Sequence, residues 1–207
     1  MFLNTFEDHE ALELLLYYAI PQKDTNAIAH DLLQHFGSYR EVMQASREAL
    51  MEVPGVGERT AVLLTLVRDL SRRYEVQKFP KRYKIRNTQD AVNYVTPLFT
   101  YSTEEKFYLL CLNSSHEIIR CHLIRQGLAD CVSFTVRDIV DHIMKDAATS
   151  VLLAHNHPTQ YAIPSGEDLN TTRVLQDALR LIDVEIMDHV IISDDGDAIS
   201  FRESGFL

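Results

Sequence analysis

No stretch of the chain is apolar for the length of a membrane span, and the start, MFLNTFEDHE, has acids where an export signal needs basic residues and then an apolar run. The protein is expected to stay in the cytoplasm. Cysteine is scarce: Cys111, Cys121 and Cys131 include no C-x-x-C pair, and an odd number cannot form a closed disulfide framework. Two of them fall in apolar, strand-like runs, so the thiols read as reduced and structural. Basic residues are also in deficit. Against 30 Asp and Glu there are 20 Lys and Arg, a formal charge of −10, which argues against wholesale coating of nucleic acid or an anionic membrane but leaves room for a local basic patch. Aliphatic side chains are plentiful. With 46% hydrophobic residues, 207 residues supply cores for two small domains or one of ordinary size.

Chemistry concentrates between Ala154 and Asp168, in AHNHPTQYAIPSGED. Residues 150–154 read as a buried strand, and strand side chains alternate faces, so His155 and His157 project from one side and can grip one ion. Pro158 and Pro164 discourage regular structure between them, and a helical pattern begins at Ser165 (Leu169, Thr172, Leu175, Leu179, Ile182), which puts Asp168 in its first turn. Strand end and helix start then face one another. Two imidazoles and one carboxylate make a catalytic zinc set, with the fourth tetrahedral position open to water; structural sites close it with cysteines. The plainer alternative is that Ser165 and Asp168 are a capping box and His155 an ordinary half-buried imidazole.

The spacing His155-x-His157, seven residues, Ser165, two residues, Asp168 resembles the JAMM signature of MPN-type zinc metalloproteases. His155-Asn156-His157-Pro158 with Pro164-Ser165 resembles, more narrowly, the bacterial RadC family, departing from it at Thr159 and Gln160. The resemblance implies peptide or isopeptide hydrolysis with one zinc per chain. It also implies a glutamate upstream as general acid/base, which deprotonates the water and protonates the leaving nitrogen; the match is Glu105, with Glu104 the adjacent alternative that strand periodicity cannot exclude. Ser165 would donate to the tetrahedral oxyanion. Asp188-His189 matches a RadC pair and reads either as support beneath the site or as a satisfied core pair. A zinc nucleobase deaminase needs H-x-E with P-C-x-x-C, and neither is present. The contiguous HNH is unlike nucleases that spread those letters over a ββα unit.

The remaining chain divides by pattern. Residues 1–75 read as helices, with Leu12, Leu15, Leu16 and Ala19 on one face, Ala29, Leu32, Leu33 and Phe36 on the next, and Ala61, Leu64, Val67 and Leu70 inward on a long last helix. Val53-Pro54-Gly55-Val56-Gly57 resembles a helix-hairpin-helix, whose glycines would let backbone N–H groups approach a DNA phosphate. Residues 1–75 nevertheless carry 12 acidic and 7 basic residues, and Glu52 and Glu58 bracket the hairpin, so a structural or protein-docking hairpin is the competing reading. Residues 76–86, VQKFPKRYKIR, hold five basic residues and no acid; they read as a linker, and Lys81, Arg82 and Lys84 are its candidates for an anionic partner. From residue 87 the chain alternates helices and strands: a helix over 88–98, a hairpin of 106–112 with 117–124, a helix from 134 or 135, and strands over 150–154, 184–193 and 198–201. The expected architecture is α+β in two domains: an all-α helix-hairpin-helix domain (1–75), a basic linker (76–86), and an MPN-like, cytidine-deaminase-like domain with a mixed sheet (87–207). The expected function is zinc-dependent hydrolysis of a peptide or protein substrate. The alternative from another class is a DNA-associated accessory protein whose metal is structural or vestigial, touching DNA weakly through Gly55, Gly57, Lys81, Arg82 and Lys84.

Overall fold

A computed structural model describes residues 5–21, 23–80, 82–127, 134–158 and 161–207; Lys81, Cys131, Thr159 and Gln160, singled out above, lie outside them. Contacts divide the chain into two units, Met1–Tyr74 and Glu75–Leu207. In the first, short polar side chains start the helices. The Asp24 carboxylate accepts the Asn26 N–H ahead of α2 (Thr25–Phe36), and the Ser38 and Ser46 hydroxyls accept from Glu41 and Ala49 ahead of α3 (Tyr39–Gln44) and α4 (Arg47–Met51). With α1 (Asp8–Ala19) and the start of α5 (Glu58–Gln77), they bury Leu12, Leu16, Ala29, Leu32, Leu50, Ala61 and Leu64.

Two expectations are corrected. The inward stripe of α5 ends early: Leu70 is 54% exposed, and the buried residues are Thr60, Ala61, Leu64 and Thr65. A three-or-four-residue spacing continues past the end of the core it was taken to face. The stretch 76–86 is not a free tether either. α5 continues to Gln77, the Tyr83 carbonyl accepts from the Ile118 N–H at 2.8 Å, the Ile85 N–H donates to the His116 carbonyl at 2.9 Å, and Ile85 is buried in the second unit. Backbone pairing holds its second half against the β-hairpin turn.

The second unit is a five-stranded mixed sheet in the order β2-β1-β3-β4-β5, formed by β1 (Lys106–Leu112), β2 (Ile118–Gln126), β3 (Ser150–His157), β4 (Glu185–Ser193) and β5 (Ala198–Ser200). Only β3 and β4 run parallel, and α8 (Gly166–Arg180) connects them, since parallel neighbours need a crossover. Every residue of β3 is buried. Helix α6 (Thr88–Phe99) covers one face, packing Ala91, Val95 and Leu98 on Leu110, Leu112, Leu152 and Val190. Helices α7 (Val136–Asp146) and α8 cover the other, where Ile139, Ile143, Leu175 and Leu179 meet Phe107, Leu109, Val151 and Leu153.

β3 runs three residues beyond the strand read from its apolar run, through His155 and His157 themselves, because its pairing with β4 continues through Ile191, Ile192 and Ser193. In β4 a bulge sets Ile186 opposite Val151 but Asp188 opposite Leu152. The extra residue reverses the alternation, so Ile186 and His189, three apart, share one face.

Gly55 shows why the turn between α4 and α5 needs a glycine. Its φ is +89°, and an added Cβ would lie 2.9 Å from Ile28 Cδ1, whereas a Cβ on Gly57 would meet nothing within 4 Å. Gly55→Ala is therefore expected to destabilise the protein by about 1–2 kcal/mol, the ordinary penalty of a left-handed backbone for a residue with a Cβ, and Gly57→Ala by much less. Equal urea midpoints for the two variants would contradict this account.

Candidate metal centre

β3 and the first turn of α8 bring three donor side chains together. His155 Nε2 lies 3.0 Å from His157 Nε2 and 3.0 Å from Asp168 Oδ1, and His157 Nε2 lies 3.5 Å from Asp168 Oδ2. The imidazoles are buried and the carboxylate is mostly so. Period two puts both rings on the face that α8 covers, and the cap of α8 turns Asp168 toward them.

The capping box and the donor carboxylate are one structure. The Ser165 N–H and hydroxyl donate to Asp168 Oδ2 at 2.8 and 2.7 Å, and the Asp168 N–H donates back to Ser165 Oγ at 3.1 Å. Asp168 Oδ1 is left to face His155. Burial alone would push the Asp168 carboxyl up, but its bonds to His155, His157 and Ser165 hold it well below the usual carboxylate range. Since the Ser165 hydroxyl is committed to Asp168, it must leave that bond to serve an oxyanion.

Hydrogen bonds to the far ring nitrogens decide where the imidazole protons sit. The Thr172 hydroxyl donates to the Asp168 backbone carbonyl, 2.7 Å away, because a carbonyl can only accept; it must then accept from His189 Nδ1, 2.6 Å away. His189 is fully buried and its imidazole is held well below its ordinary pKa by that burial, so it is neutral and its Nε2 carries a lone pair. That lone pair accepts from His155 Nδ1 at 2.8 Å. His157 Nδ1 donates to the Tyr161 carbonyl at 3.2 Å. In the neutral rings both Nε2 atoms consequently present lone pairs to each other and to a carboxylate, and a ring donates to Asp168 only when it takes up a second proton. Such a set fits a zinc ion with an open position, the far nitrogens of both rings being tied off as in other imidazole metal centres.

The proposed acid/base pair separates by face. Carrying the Phe107–His155 register outward sets Glu105 across from His157, on the side of the imidazoles, and the Glu105 charge acts on His157. Its carboxylate accepts from Arg125 at 3.4 Å. Glu104 belongs to the opposite face, where its carboxylate accepts from Gln126 at 3.0 Å and its carbonyl from Asn156. Asp188 and His189 also part: Asp188 accepts from the Ser200 hydroxyl and the Arg202 N–H, joining β4 to β5 and the following turn, and only His189 reaches the site. Thr172 went unnoticed in the sequence as a site residue. It stands four residues after Asp168, one helical turn along the same face.

Residues 85–206 match the RadC-like JAB domain family. Over 204 residues the chain is 32% identical to a UPF0758 protein of Vibrio cholerae serotype O1, covering 99% of this chain and 91% of that one. It is 31% identical to a UPF0758 protein of Vibrio parahaemolyticus, over 97% of this chain and 89% of the relative, and 30% identical to one of Vibrio campbellii, over 99% and 91%.

Without a metal the three lone-pair groups attract a proton instead. The hydrogen bond to Asp168 outweighs burial and raises the His157 pKa above its ordinary 6.5. A raised imidazole pKa contributes stability that is complete below 6.5 and is lost as pH rises through the folded value. Chelator-stripped protein should therefore lose thermal stability as pH rises from 6.5 past the raised value, and His157→Gln should flatten that decline. An equal decline in both would assign it to other groups.

Proposed function

Because the chain belongs to the RadC-like JAB domain family, we propose that it is a metal-dependent hydrolase of peptide or isopeptide bonds, with zinc held by His155, His157 and Asp168. The observation that carries this reading is the convergence of two imidazole lone pairs and a carboxylate, all within 4.8 Å, with both ring tautomers set by neighbours. When bound, a zinc ion supplies a Lewis acid and lowers the pKa of water toward neutrality. Glu105, on the imidazole side, accepts the water's proton and delivers it to the leaving nitrogen. Arg125 anchors the Glu105 carboxylate through an ion pair at 3.4 Å. Ser165 exchanges its bond to Asp168 for one to the oxyanion. Tyr161, whose carbonyl accepts from His157, and Ile163 are exposed and offer apolar surface to a peptide.

Elemental analysis should find zinc retained in Glu105→Gln and lost in His157→Ala. On internally quenched peptides and isopeptide-linked conjugates, Glu105→Gln should lose at least about 100-fold in rate, and Glu104→Gln should match the unaltered protein. Loss of zinc in Glu105→Gln would make that glutamate a ligand; loss of activity in Glu104→Gln would move the base.

A second reading, a DNA-associated accessory protein, rests on Arg82 and Lys84, which are exposed, while Lys78 and Arg86 pair with Glu75 and Asp90. Gly55 already has a conformational reason to be glycine, so its presence needs no phosphate. Duplex binding measured by anisotropy is expected to be weak and to fall steeply with salt, and to diminish when Lys81, Arg82 and Lys84 are changed to alanine. Tight, salt-resistant binding lost in Gly55→Val would favour the accessory reading.

A further inference from the structure

A second cluster of donors lies on the same sheet face, four residues along β1 from Phe107 and so about 13 Å from the level of His155. Cys111 of β1, His122 of β2 and Asp146 at the end of α7 bring a sulfur, a nitrogen and an oxygen within 4.8 Å of one another. Asp146 is the hub: it accepts from His122 Nε2 at 2.6 Å and from the Cys111 thiol, and it forms an ion pair with Arg120 at 3.4 Å. A second imidazole, His142, stands one turn back on α7 with its ring centroid 4.1 Å from that of His122.

This is not a nucleophile with its base. A Cys–His–Asp triad sets the imidazole between thiol and carboxylate, whereas here the carboxylate lies between the other two. The Cys111 thiol has no solvent exposure, and burial together with the Asp146 charge pushes its pKa up to about 12. An unactivated, inaccessible thiol performs no attack.

We propose that Cys111, His122 and Asp146 form a second metal site, distinct from the His155 centre, that takes a thiophilic divalent ion of the zinc class. The donors suit such an ion: thiolate and imidazole favour zinc over magnesium or calcium, and thiolate with carboxylate supplies two negative charges to neutralise it. Binding releases the thiol proton to solvent, His122 coordinates through Nε2 as a neutral ring that keeps its one proton on Nδ1, and the ion takes the place of Arg120 as the positive partner of Asp146. His122, with 15% of its side chain open to solvent, gives an ion a way in, and His142 beside it lines a neighbouring groove of about 400 Å³ between β2 and α7. The three ligands come from three elements, so the ion ties the end of α7 to the β1–β2 pair.

Sulfur separates this site from the other one experimentally. The full chain, stripped with chelator and reloaded with cobalt(II) alone, is expected to take up two equivalents and to develop the near-ultraviolet thiolate-to-cobalt band, to which a site of two histidines and an aspartate contributes nothing. Cys111→Ser should lose the band and one equivalent; His122→Gln, at a partly exposed ring, should weaken the band without unfolding the chain; His155→Ala should lose the other equivalent and keep the band. One equivalent bearing the band, insensitive to His155→Ala, would leave this site standing and remove the proposed catalytic centre. Uptake without a sulfur band, or a band that survives in Cys111→Ser, would overturn the proposal and reduce the cluster to a hydrogen-bonded clasp.

Discussion

Lone pairs brought within about 3 Å of one another repel unless a cation lies between them, and the second unit is built so that two imidazoles and a carboxylate cannot avoid that approach. Strand β3 is buried along its whole length and paired on both sides, so His155 and His157 cannot swing outward without uncovering the centre of the sheet. The Asp168 carboxylate cannot turn away without losing the two capping hydrogen bonds it accepts from Ser165. Behind the three donors, Thr172 and His189 settle the His155 proton through a chain that ends on a backbone carbonyl. The positive charge at the centre, proton or metal, answers an arrangement the scaffold enforces.

The convergence of His155, His157 and Asp168 was legible in the sequence because each rule that places them is local. Alternation along a strand joins His155 to His157, and S-x-x-D before an apolar pattern starts a helix. What escaped was decided by tertiary detail. Alternation in β4 counted from Ile186 sends His189 to the wrong face, and only the bulge opposite β3, which has no mark in the sequence, brings it back. Glu105 and Glu104 could not be separated before the register of β1 was known. Leu70 was misjudged because periodicity reports a face but not where the covering core ends. In residues 76–86, charge and proline suggested a tether, while backbone pairing with the hairpin turn, to which composition is blind, attaches the second half.

The sheet also distributes its polar groups by face. On the α6 side, Asp188 is consumed by Ser200 and Arg202 and contributes to assembly of the last strand. On the α7 and α8 side, ionisable groups gather at two levels, around His155 and around Asp146, separated by the aliphatic layer of Leu109, Leu153 and Ile139. That layer keeps the two groups of charges from sharing protons, so each level can be altered without retuning the other.

Helix α7 begins with the same device as α8. The Thr135 N–H and hydroxyl reach Asp138 Oδ2, each at 2.8 Å, and the Asp138 N–H returns a bond at 3.2 Å, nearly the lengths found at Ser165 and Asp168. There, no imidazole pair faces the carboxylate, and the cap is only a cap. The helix start at Ser165 is thus sound on its own account, and chemistry was added to it by two rings on a neighbouring strand. A lineage that exchanged those rings for other buried side chains would keep the architecture and lose the donor set, so this scaffold can gain or shed the cluster without crossing an unfolded intermediate in evolution.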